Sequence, residues 1–249
     1  MHGDIVTVSF AIACGGRVGL RERLTHSLAA ARFPFQIEIL QEECGGGSAG
    51  EMRNRLFARA RGKYVYFLDE DCVWPVDFPL ADMQAWIASG NAFSGPYLNT
   101  PMCTFFGRAY NFMTHAWMRK HAAAGRPVPV AGNVFLPRSE RLLQPYGEGT
   151  AFGGEEAALV CRLSQAGIEL RFLEEMAVGH NALHSPARFF ARAWRHGRSP
   201  APGRVAPQSK SRKRFLTFHQ ALPSYSPLML LTLAGYHLTQ SCARRWGCS

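Results

Sequence analysis

Residues 5–13 form an apolar, β-branched run, the pattern of a strand buried on both faces. Residues 20–31 have helical composition, and 37–40 read as a second short strand running into Glu42-Glu43. A loop, Cys44-Gly45-Gly46-Gly47-Ser48-Ala49-Gly50, then leads into a helix predicted over 51–60. Tyr64-Val65-Tyr66-Phe67-Leu68 is the third strand, and Asp69-Glu70-Asp71 falls just beyond its end. Repeated β-α-β units imply a mostly parallel sheet with helices on both faces. Ligands of such sheets bind beyond the carboxyl ends of the strands, where these acids lie.

The pattern loosens after that. Residues 93–130 are aromatic and irregular, with a helix predicted over 108–123. Asn133-Val134-Phe135-Leu136 reads as a strand, followed by a glycine-rich turn, a helix over 155–165 and a strand over 168–173. Beyond Ser185 the chain reads as an arm: a helix over 186–196, a Pro/Ser/Arg-rich linker to Arg214, and an apolar stretch over 227–238. That stretch is too short to cross a bilayer comfortably. It is either a final core helix or a segment lying in a membrane interface. The sequence carries no internal repeat.

Charge changes the picture more than composition does. A chain of 249 residues, 47% hydrophobic, can bury one substantial core with a small appendage. The net charge of +10 is concentrated at one end. No Asp or Glu follows Glu175, whereas eleven Arg and Lys lie between Arg188 and Arg245. A near-neutral body with a basic tail calls for an anionic partner. Seven cysteines, scattered and never in a CxxC pair, fit reduced thiols better than a disulfide framework or a zinc site. No basic region precedes an apolar run at the start, so a cytoplasmic protein is expected. No nucleic-acid-binding motif is present, and no nucleic-acid partner is expected.

Three constellations could carry chemistry. Asp69 and Asp71, one residue apart at the mouth of an apolar strand, can face one cavity and hold Mg²⁺ or Mn²⁺ through oxygen ligands. A solvated acidic turn is the bland alternative. Gly153-Gly154-Glu155-Glu156 opens a helix. Acids in a first turn are ordinary partners of the helix dipole, but here one can also serve as a general base. His180 follows a strand end at Ala177-Val178-Gly179, and it gains meaning only if the fold brings it to Asp71.

The order of these pieces resembles the family 2 glycosyltransferases of GT-A fold. The resemblance rests on Arg53-Asn54 and on Ala60 to Asp71 (ARGKYVYFLDED). It continues through Gly132-Asn133 with Arg138, Gly153-Gly154-Glu155-Glu156, Leu159, Arg162-Leu163, Gly167 and His180. It covers residues 5–180. The chain departs from the pattern at Gln41-Glu42-Glu43-Cys44-Gly45, where aspartates are usual. It also departs at Cys72, at Glu156 in place of the usual Asp, and in the atypical loop Cys14-Gly15-Gly16-Arg17.

The resemblance implies a Rossmann-like, mostly parallel GT-A sheet flanked by helices over residues 1–185. Residues 1–100 form its nucleotide-sugar half and 101–185 its acceptor half, with a basic C-terminal helical arm over 186–249. It implies an inverting transferase that moves a sugar from a nucleoside-diphosphate donor to an acceptor hydroxyl on a glycan or lipid-linked acceptor. The donor would contact Ala11, Glu43, Arg53, Asp69, Glu70 and Asp71. Mn²⁺ or Mg²⁺ would be held by Asp71, with Asp69 and His180 as further ligands. Glu156, with Glu155 as its rival, would be the base. Arg192 and Arg195 are candidates to close over the diphosphate. A sugar-nucleotide-binding protein without transfer, or a nucleotidyltransferase, is the competing reading. The charge asymmetry adds an anionic membrane surface, the inner face of the cytoplasmic membrane, as a partner for the arm. A chain truncated before Pro200 is expected to keep its fold and lose that surface.

Overall fold

The computed structural model describes residues 7–43, 47–147, 154–198 and 227–246. Two sheets organise the molecule. The larger is built on strand β1 (Val8–Cys14), all seven residues of which are buried. Strands β2 (Ile37–Glu43) and β3 (Tyr64–Asp69) pair with it in parallel on either side. Beyond β3 come β7 (Asn133–Pro137), β5 (Ala92–Ser94) and β8 (Leu170–Phe172), giving the order β2-β1-β3-β7-β5-β8. Strand β7 runs antiparallel to both of its neighbours, and the other pairings are parallel. The fold is therefore α/β with a mostly parallel sheet, as the β-α-β rhythm required.

Helix α1 (Val18–Ala30) links β1 to β2, and α2 (Ala49–Arg59) links β2 to β3. Helix α2 begins two residues earlier than its composition suggests because Ser48 and Glu51 form a reciprocal capping box. Helix α3 (Leu80–Ser89) ends at Gly90, whose φ of 73° suits glycine alone among common residues. The sequence pattern gave no sign of this helix, whose apolar face is narrow. One core packs Phe10, Tyr66, Trp74, Phe78 and Phe135 on one side of the sheet. The other packs Met52, Leu56 and Phe57 of α2 against Val65, Phe67, Leu159 and Leu163.

The smaller sheet positions the site. Strands β4 (Cys72–Val73), β9 (Val178–His180) and β6 (Tyr97–Asn99) pair in the order β4-β9-β6. Cys72 lies opposite His180 in the β4–β9 register, so the residue before Cys72 is delivered to the histidine. Helix α4 (Phe105–Ala123), capped by the Thr104 hydroxyl, starts three residues before the predicted boundary. Helix α5 (Gly154–Gln165) follows the glycine-rich turn. Gly153 of that turn lies outside the described residues, as do Cys44, Gly45 and Gly46 of the earlier loop.

The two described helices of the basic region do not stand away from the body. Helices α6 (Pro186–Arg198) and α7 (Pro227–Trp246) pack together and onto α4. Ala109 and Tyr110 of α4, Phe189 and Ala193 of α6, and Leu233 and Tyr236 of α7 form a third buried cluster. The core-helix alternative for the apolar stretch therefore holds for one of its faces. Residues 199–226, with Lys210, Arg212, Lys213 and Arg214, lie outside the described residues.

Candidate active site

The carboxyl end of β3 carries Asp69, and the turn after it carries Glu70 and Asp71. Their carboxylates have different partners. Asp69 accepts from Arg53 Nη2 at 2.8 Å and from the Tyr97 hydroxyl at 3.2 Å. Gly132 presses on it so closely that a Cβ there would sit 2.0 Å from the carboxyl, which is why only glycine fits. Glu70 is buried and accepts from the Arg17 backbone N–H at 3.1 Å. Asp71 meets Arg17 Nη1 at 2.5 Å through one oxygen and His180 Nε2 at 3.3 Å through the other. Burial works against its ionisation, but His180 and Arg17 outweigh that and hold the carboxyl below its ordinary range.

The histidine's tautomer follows from Asn111, a residue the sequence did not single out. Asn111 Nδ2 donates to the His180 carbonyl at 3.2 Å and to Asn99 Oδ1 at 3.1 Å. Its Oδ1 is then left facing His180 Nδ1 at 2.7 Å, so Nδ1 carries the proton. With a proton on Nε2 as well, the ring donates to Asp71 and holds its carboxylate; with Nε2 deprotonated, a lone pair faces Asp71 instead. Tyr97 stacks on the imidazole at 4.5 Å and fixes its plane. A lone pair and a carboxylate oxygen converging at 3.3 Å are a donor set that a shared divalent cation satisfies. Asp71 and His180 thus fit Mn²⁺ or Mg²⁺, with the remaining positions left to a ligand. Asp69 faces Arg53 and Tyr97 instead. Among the described residues, no group of three His, Cys, Asp or Glu converges to form an all-protein cage.

Arg53 ties this cluster to α5. It is buried on α2, and its Nη1 lies 3.1 Å from Glu155 Oε2 while Nη2 holds Asp69. The Tyr146 ring lies beneath the guanidinium at 5.4 Å. The structure places this arginine as a brace between two carboxylates. Glu155 is consumed by that ion pair. Glu156, half-buried in the first turn of α5, has a carboxyl pushed up to about 7 by burial and by the charge of Glu155, against the opposing pull of Arg53 and Arg192.

The other donor-side candidates are spread more widely. Ala11 is fully buried in mid-strand, packed in the core under α2, because β1 continues three residues past it to Cys14. The mouth of β1 is instead the loop leading to Arg17, which the sequence marked as atypical. Glu43 ends β2, exposed, and pairs with Arg21 at 2.7 Å. Arg192 of α6 is packed over the Tyr110 ring at 4.3 Å. Burial opposes its charge, and Tyr110, Tyr236, Asp69 and Glu156 more than restore it. His184 edges the same ring at 5.1 Å, and burial and Arg192 push it down to about 4, so it is neutral near pH 7. Its Nε2 is buried without a hydrogen-bond partner among the described residues.

This two-sheet scaffold, with acids beyond β3 and a histidine brought back by β9, has solved counterparts. Residues over 97% of the chain superpose on 72% of a mannosyltransferase, PcManGT, from Pyrobaculum calidifontis, with a TM-score of 0.53 at 14% identity. The chain has the GT-A fold. A mycobacterial protein gives a TM-score of 0.50 at 16% identity, over 82% of this chain and 78% of its own. No family model and no curated relative matches the sequence. The GT-A fold sets the two carboxylate clusters at one end of the sheet and leaves their chemistry to the side chains.

Proposed function

We propose that this protein is an inverting, metal-dependent glycosyltransferase. It moves a sugar from a nucleoside-diphosphate donor to an acceptor hydroxyl, in glycolipid, polysaccharide or cell-envelope glycan synthesis. One observation carries the reading. A cation-ready pair, Asp71 and His180, stands beside Asp69, which the buried Arg53 ties to Glu155 next to Glu156, an acid with a near-neutral pKa. The mannosyltransferase it resembles was solved with GDP-mannose and Mn²⁺, which supports the donor class.

Asp71 and His180 are the residues that would hold Mn²⁺ or Mg²⁺, and the ion would supply Lewis-acid neutralisation of the departing diphosphate. Glu156 takes the proton of the acceptor hydroxyl as its oxygen bonds to the anomeric carbon. The bond from that carbon to the diphosphate breaks on the opposite face. The displacement needs one base and no enzyme nucleophile, so the configuration inverts. Glu155 is engaged by Arg53, which leaves Glu156 as the base. Asn111 and Tyr97 hold the His180 ring, and Arg192 lies within electrostatic reach of Glu156.

The test is a screen of nucleotide sugars for hydrolysis and thermal stabilisation, with and without Mn²⁺, followed by calorimetry on Asp71→Ala. The variant is expected to lose metal-dependent nucleoside-diphosphate binding while keeping its circular dichroism. Unchanged affinity and metal dependence would remove Asp71 from the site. Donor binding without hydrolysis or transfer would turn the reading into sugar-nucleotide binding alone.

A further inference from the structure

The third buried cluster accounts for one face of α7 and leaves the other uncovered. Leu233, Tyr236 and Ala243 are buried, whereas Leu228, Leu231 and Leu238 are 61%, 70% and 67% exposed. Positions three and seven residues apart fall on one side of a helix, so the three leucines form a stripe rather than scattered exceptions. Helix α6 packs against α7 through Phe189 and Tyr236, whose rings lie 4.8 Å apart. Its exposed residues include Arg188 and Trp194. Arg192 lies on its inner side, over Tyr110 beside the catalytic cleft.

We infer that the outward face of the α6–α7 pair docks on an anionic membrane surface, presenting the cleft to an acceptor anchored in that membrane. Charge decides between occupants. Helices α6 and α7 and the residues between them hold eleven Arg and Lys and no acid. A second copy would bring an equally basic chain end to the contact, and like charges across an isologous contact repel. A nucleic acid would satisfy the bases but gain nothing from three exposed leucines and a tryptophan. An anionic lipid surface satisfies both, since basic side chains meet headgroups while leucine and tryptophan enter the headgroup boundary. Among the described residues no helix is long and apolar enough to cross a bilayer, so the contact is a docking one.

The inference deepens the transferase reading by naming where the acceptor sits, and its test does not need turnover. The full chain is floated with vesicles of equal parts phosphatidylglycerol and phosphatidylcholine, and with phosphatidylcholine alone, at low and high salt. Binding to the anionic vesicles, weakened but not abolished by salt, is expected. The exposed pair Leu231→Gln/Leu238→Gln should lower the partition coefficient at least about tenfold, the scale of two leucines kept out of an apolar layer. The same variant should leave the melting temperature and Mn²⁺-dependent nucleoside-diphosphate binding unchanged. Equal partitioning with neutral vesicles, or full binding by the leucine variant, overturns the inference. So does a dimer in light scattering that the leucine variant dissolves, which would assign the face to a second copy. Failure of donor binding with intact flotation would sink the transferase reading and leave the docking face standing.

Discussion

Glu156 is held at odds with folding, and that makes it testable. The folded protein keeps its carboxyl near 7 against an ordinary 4.5, because burial and Glu155 outweigh Arg53 and Arg192, with Asp69 adding to the push. Folding therefore binds this proton more tightly than the unfolded chain does. Stability falls as pH rises through the window from about 4.5 to 7. At about 1.4 kcal/mol per unit, up to about 3 kcal/mol is lost by pH 8. Glu156→Gln removes that loss, so its melting temperature should exceed the wild type's at pH 8 and converge with it near pH 4. Transfer should drop by about two or more orders of magnitude while donor binding stays, the usual scale for a general base. Wild-type turnover should rise through about pH 7 as the carboxylate forms. A stable and fully active Glu156→Gln with an inactive Glu155→Gln would exchange the two roles. Asn111 gives a second residue-scale expectation. Asn111→Leu leaves His180 Nδ1 without its acceptor and frees the ring to take the other tautomer. Mn²⁺ affinity, read by electron paramagnetic resonance, should weaken by about 10- to 100-fold, the usual cost of losing an outer-shell partner. Unchanged affinity would show that the stacking on Tyr97 alone sets the ring.

The helix pair at the C-terminus acts at the scale of elements. Because Leu233 and Tyr236 fill a cluster with Tyr110, Phe189 and Ala193, ending the chain before Pro227 uncovers that cluster. Two large side chains at about 1.5–3 kcal/mol each, in a protein of this size, correspond to a melting temperature lower by about 10 °C. The truncation before Pro200 that the charge pattern suggested is therefore expected to damage the fold, because α7 is packed rather than trailing. A truncated chain that melts with the wild type would show the packing to be dispensable. What the sequence revealed divides at the same scale. Asp69 and Asp71 were legible because a local signal, an apolar strand of five residues ending in two acids, carries them. Helices α5 and α6 were legible from period and capping. Helix α3, the strands β5 and β6 and the short β4–β9 pairing were not, since too few residues carry each pattern. With them went Asn111, Tyr97 and the contact of Arg17 with Asp71, which join residues 28 to 69 positions apart. Arg53 was read as a donor contact from its neighbour Asn54. Its bridging of two carboxylates depends on helices α2 and α5 meeting across 102 positions, which no local period records.

At the scale of the whole molecule, sequence order and spatial order part company. A reading in halves, 1–100 and 101–185, follows the chain, but the sheet interleaves them. Strand β7, from the later half, lies between β3 and β5 of the earlier one. That placement has a consequence for how the protein is made. As the chain leaves the ribosome, β2, β1 and β3 can assemble as a parallel trio, because every partner they need is already present. Strand β5 emerges next and finds no neighbour, and β3 keeps one edge bare. Both wait for Asn133–Pro137, some forty residues of synthesis after β5. Until then the nascent chain shows two unpaired edges rich in Phe, Tyr and Val, the surfaces most prone to pairing with another chain. Expression at a slower elongation rate, or with a chaperone that shields such edges, is where the yield of this protein should be decided.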